Sequence, residues 1–97
     1  MNCANAFGAH ERPVINPLFL LRWEHTQQAY VLLYPEGVVK LNDTAGEILK
    51  RCDGRHTVGE LVEEITREFA ADPARIGESV QKFLEVSHAK GWIRRQA

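Results

Sequence analysis

Between residues 18 and 41, apolar and polar positions form three short runs of strand pattern, and from Asn42 onward they follow a period near 3.6. Residues 18–24, LFLLRWE, start fully apolar and end amphipathic. Phe19, Leu21 and Trp23 fall on one face, Leu20, Arg22 and Glu24 on the other, which predicts a first strand. After the polar connection 25–28, Ala29–Tyr34 is apolar on both faces, the pattern of a central strand. Pro35-Glu36-Gly37 carries turn chemistry, with Pro35 presetting φ and Gly37 suited to the left-handed region. Residues 38–41 return with Val39 and Leu41 against Val38 and Lys40, as expected where one face is solvated. The three runs predict an antiparallel meander.

From Asn42 the period changes. Ala45, Ile48, Leu49 and Cys52 form one stripe of a first helix, opened by Thr44 and Glu47 at the spacing of a capping box and stopped by Asp53-Gly54. Thr57 and Glu60 open a second helix, with Leu61, Val62, Ile65 and Phe69 as its buried stripe. Glu60, Glu63, Glu64, Arg67 and Glu68 are its wet side, with pairs such as Glu63–Arg67. Asp72 as N-cap and Pro73 at the first helical position open a third, which runs to about Lys90. Ile76, Val80, Phe83, Leu84 and Ser87 are its stripe. Gly91 ends it, Trp92-Ile93 fold back as a hydrophobic latch, and 94–97 trail off. The order predicts an α+β fold: a three-stranded antiparallel sheet followed by three helices, packed on one face and winged-helix-like. Residues 1–16 show no period and read as a mobile N-terminal arm or an edge-packing segment, leaving 17–97 as a single domain.

Composition narrows the function. At 97 residues and a net charge of -1, the chain has one domain's worth of core and no electrostatic pull toward polyanions. The second helix is acidic and the third alternates Arg75, Glu78, Lys82, Glu85 and Lys90, so neither offers the clustered cations that phosphates need. Lys50-Arg51 and Arg55-His56 read as cations complementing a helix C-terminus. A winged-helix nucleic-acid binder is therefore the second reading, not the first. No apolar run approaches the roughly 18–20 residues that span a bilayer, and the N-terminus lacks a secretory pattern. A cytoplasmic protein with no membrane association is expected. Cys3 and Cys52 then read as free thiols.

Catalytic chemistry finds no foothold. His10, His25, His56 and His88 lack partners at metal-ligand spacing. The only serines, Ser79 and Ser87, sit in no nucleophile motif, and the glycines are scattered singly. No catalytic residue, metal or cofactor is expected. An enzyme is the third reading.

Peptide binding is what remains. The third strand turns straight into a helix and has no evident partner on its far side. Its free N–H and C=O groups would accept an added strand. Along the third helix, Ser79, Phe83, Val86 and Lys90 form a column beside the core stripe, and Val86 is apolar yet off that stripe. These positions, with Val38, Val39, Lys40 and Leu41, form the candidate site.

The succession RWE, YVLLYPEGVVKLN, CDG, TVGELVEEI, VQKFLE and GWI resembles the PqqD family of pyrroloquinoline quinone biosynthesis, over about 17–93. More distantly related domains are the recognition elements of ribosomally made, modified peptides. The resemblance implies a non-catalytic chaperone that binds the precursor peptide PqqA and presents it to the radical SAM enzyme PqqE, which cross-links a Glu and a Tyr of the peptide. It implies a strand added beside the third strand and lying against the third helix, at the positions just named. Val38 stands where the family often has Met. No metal or cofactor is implied. Residues 1–16 have no counterpart in it, and a homodimer through this arm stays open.

Overall fold

A two-residue loop, Pro35-Glu36, reverses the chain so that Tyr34 pairs with Gly37, and this hairpin sets the register of the sheet. In the computed structural model, which describes residues 7–96, β2 (Leu20–Glu24), β3 (Ala29–Tyr34) and β4 (Gly37–Lys40) follow β1 (Pro13–Ile15). Then come α1 (Asp43–Lys50), α2 (Val58–Phe69), α3 (Pro73–Ala89) and β5 (Ile93–Arg95). The sheet order is β2-β3-β4, antiparallel throughout, with Leu21 opposite Leu32 and Leu32 opposite Val39. The α+β architecture and the meander are as the periodicity predicts. Gly37 differs: it opens β4 and is not among the residues with positive φ, because the two residues before it complete the turn. Gln28, at φ 52 in the β2–β3 turn, takes that conformation instead.

The helix ends refine the expectations. Asn42, not Thr44, caps α1: its Oδ1 accepts the N–H of Ala45 at 2.7 Å. The strand delivers Asn42 in extended conformation two residues ahead of Thr44, and Glu47 is left free to bind Arg51. The capping box of Thr57 and Glu60 forms, and Asp72 caps α3 ahead of Pro73. Ala70 (φ 50) and Gly91 (φ +78) end α2 and α3. Burial of Ile48, Leu49, Leu61, Ile65, Val80 and Leu84 against Leu32, Leu41 and Ile93 makes the core. Phe83 and Val62 are only half-buried, and Phe69 turns out to 38% exposure. Gly46 lets α1 lie on β3: a Cβ there would stand 2.8 Å from the Tyr30 ring.

The N-terminal segment is built into the fold over its described part. Phe7 is 2% exposed, with its ring edge-on to His88 and under the Arg95 guanidinium. The Gln81 side chain clasps the backbone of Phe7, donating to its C=O and accepting its N–H. β1 pairs with β5, so 94–95 extend a strand where a loose tail was expected. On its other side, Ile15 N–H donates to Cys52 C=O and Gly54 N–H to Pro13 C=O. The edge-packing alternative therefore describes 7–16. Its partners, from Cys52 to Arg95, lie far along the chain, beyond the reach of any local pattern. Residues 1–6, including Cys3 and that part of the arm offered for a homodimer, lie outside the described residues, as does Ala97.

Charges pair between elements rather than along α2. Arg51, 8% exposed, reaches Glu47 (2.7 Å), Glu64 (2.8 Å) and Glu68 (3.2 Å), joining α1 to α2. Among the described residues the expected Glu63–Arg67 pair is not made; the acids nearest α1 are drawn to the buried guanidinium instead. His56 sits between Asp53 (3.0 Å) and Glu64 (3.1 Å).

Candidate functional site

The hydrogen-bond phase of β4 decides what its edge offers. Leu41 N–H donates to Tyr30 C=O at 3.1 Å. In an antiparallel ladder, alternate residues direct both backbone groups to the same side. With the register Val31↔Lys40 and Leu32↔Val39, Val39 and Leu41 therefore bond to β3, while Val38 and Lys40 direct N–H and C=O away from it. Among the described residues no strand lies beyond β4. These outward groups form a short template for another chain.

Side chains follow the same alternation. Val38 (58% exposed) and Lys40 project to solvent, and Val39 is half-buried toward the helices. Leu41 departs from the expected set. It is 5% exposed and its backbone is turned to β3, so it anchors the strand and presents nothing to a ligand.

Past the end of β4 the chain enters α1, and α3 forms the facing wall. A cleft of about 320 Å³ between them is lined by Asn42, Thr44, Ala45, Ile48, Ser79 and Phe83. Two of the four α3 positions are thereby joined to the residues that directly follow β4. The column continues along α3 through Val86, half exposed, to Lys90. Trp92 borders it: its ring lies 6.4 Å from that of Phe83, and Lys90 Nζ lies 5.7 Å over it. The α1 side, contributed by Asn42, Thr44, Ala45 and Ile48, was not part of the sequence-based site. The sequence pattern gives these residues to a cap and a core stripe, and only the placement of α3 opposite them shows that their margin lines a groove. The arrangement suits an extended peptide: backbone donors and acceptors along one wall, apolar surface with one cation along the other.

The chemistry of the remaining groups is structural. Burial, and secondarily the neighbouring Asp53 charge, pushes the Cys52 thiol up to about 12, which leaves it protonated and unreactive. Burial alone would raise Asp53, but the N–H groups of His56 and Arg55 and the His56 ring outweigh that and bring it down to about 2. The bond to Asp53 raises the His56 pKa, against a lesser effect of burial. Among the described residues, no three His, Cys, Asp or Glu side chains gather closely enough to hold a metal. No described helix is long and apolar enough to cross a membrane.

Comparison with known proteins places this geometry in context. Residues 29–93 match the family model described as coenzyme PQQ synthesis protein D (PqqD). A protein of Pseudomonas paraeruginosa, named a PqqA binding protein, is 49% identical over 84 residues, covering 87% of this chain and 90% of the relative. A protein of the same name from Methylococcus capsulatus is 42% identical over 80 residues, covering 82% and 84%. Among solved structures, the PqqD truncation of Methylobacterium extorquens PqqCD superimposes with a TM-score of 0.79 at 30% identity, covering 97% of this chain and all of that one. It is described as a functional, stand-alone recognition element for ribosomally synthesised, post-translationally modified peptides.

Proposed function

The chain belongs to the PqqD family, and on that premise we propose that it binds the precursor peptide PqqA as an added strand on β4 and presents it to the radical SAM enzyme PqqE. It acts as a chaperone and adaptor of pyrroloquinoline quinone biosynthesis in the cytoplasm, with no reaction of its own. One observation carries the reading: the outward N–H and C=O groups of Val38 and Lys40 lie on the sheet edge that leads into the α1–α3 cleft. Backbone bonds to that edge tolerate many sequences. Selectivity falls to the second wall, where Phe83 and Val86 supply apolar contact and Ser79 and Lys90 polar ends.

Chemical-shift mapping with the precursor peptide tests this. The amides of Val38 and Lys40 and the flank of α3 should move together. A response confined to α2 would sink the assignment. Adding the enzyme should then perturb a further surface without releasing the peptide.

A further inference from the structure

A second cleft, of about 240 Å³, opens beside the first at the far end of the sheet. Its lining comes from four elements and their margins: Trp23 of β2, Tyr30 of β3, Asp43 and Glu47 of α1, and Phe69 of α2. We propose that this cleft is a docking surface for a protruding arginine of the partner enzyme. The proposal rests on the presentation role above and names the side that the enzyme meets.

The aromatic content is unusual for a surface. Trp23 is 40% exposed and Phe69 38%, and both are turned into one cavity. Phe69 belongs by spacing to the buried stripe of α2, yet it keeps 38% of its surface exposed. The Trp23 and Tyr30 rings meet at 5.0 Å and 69°, so an indole and a phenol define one corner. A purely apolar ligand would suit those rings but not the carboxylates beside them. Asp43 makes no ion pair among the described residues. Glu47 meets Arg51 and Lys50 through Oε1 alone, leaving Oε2 without a partner there. Rings that accept a cation on their faces, with carboxylates on the same rim, are complementary to a guanidinium. An anionic ligand would meet the same carboxylates with repulsion. Asn42 lines both clefts, so a partner seated here lies one residue from the bound peptide, as presentation requires.

The two tryptophans separate this proposal from the peptide reading, because Trp23 lies in the acidic cleft and Trp92 borders the groove. In Trp92→Phe protein, the blocked tripeptide Gly-Arg-Gly should shift Trp23 emission with a Kd on the order of 1–10 mM. The citrulline counterpart should bind at least about 5-fold more weakly, and Asp43→Asn should weaken the arginine peptide about 3-fold. No change at Trp23 to about 50 mM, or equal binding of the citrulline peptide, overturns the proposal. In Trp23→Phe protein, the precursor peptide should still shift Trp92. If Trp92 responds while arginine leaves Trp23 unmoved, the cleft assignment fails and the groove stands; if Trp92 is silent, the groove itself is wrong.

Discussion

β1 and β4 are both short strands at the margin of their sheets, and they end up in opposite states. β1 is bonded along both sides, to β5 on one and to Cys52 and Gly54 on the other. β4 is bonded on one side and, among the described residues, open on the other. The side of the molecule around β1 is closed in the same sense. Arg51 has three carboxylates, His56 has two, and Arg95 is held by Glu11. A backbone group already satisfied within the chain has little to gain from a ligand, whereas an outward N–H on an edge exchanges a water for a partner. The recognition surface is thus where internal satisfaction stops, and the strap formed by 7–16 covers one side of β5.

The largest effect should come from breaking the closed side. Phe7→Ala removes a ring that is 2% exposed and should cost about 3–5 kcal/mol in urea unfolding. A loss below about 1 kcal/mol would mean that the segment merely rests on the body.

Next in size is a pair of prolines on β4. Val39→Pro deletes an N–H used by β3 and should cost about 1–3 kcal/mol of stability. Val38→Pro deletes an N–H that points outward. It should leave unfolding nearly unchanged while weakening precursor peptide about 5-fold, by isothermal titration. Equal destabilisation by both would show that the inferred bonding phase is wrong. Val86→Glu places a charge on the α3 wall at a half-exposed position. Peptide affinity should drop several-fold, with stability held within about 0.5 kcal/mol. Unaltered affinity would remove α3 from the site.

The smallest effect concerns the turn that holds β1. The raised His56 pKa contributes stability that is complete below its ordinary 6.5 and is lost as pH rises through the folded value. Asp53, lowered from 3.8 to about 2, contributes stability present above 3.8 and lost as pH falls toward 2. The turn should therefore be firmest between pH 3.8 and 6.5. Amide exchange at Ile15 and Gly54 should be slowest there relative to the intrinsic rate, and His56→Gln should flatten the alkaline limb. An unchanged limb would detach His56 from the strap.

Much of this was legible without coordinates. The alternation in 19–24 and 38–41, flanking the apolar run Ala29–Tyr34, and the 3.6 period after Asn42 fix the meander and the helices, because side-chain direction follows from backbone geometry alone. Thr57-Glu60 and Asp72-Pro73 name their helix starts because capping is local chemistry. The α3 column was also readable, since Val86 breaks the stripe at helical spacing. What required the tertiary structure is everything that joins distant residues. The Phe7–Gln81 clasp and the β1–β5 ladder depend on contacts across most of the chain. Leu41 could not be separated from Val38 and Lys40 until the register showed which backbone groups turn outward. Only the tertiary arrangement sets Ile48 of α1 and Phe83 of α3 on one cleft, and Phe69 of α2 and Trp23 of β2 on another. Periodicity tells a residue which way to face; the fold decides what it meets there.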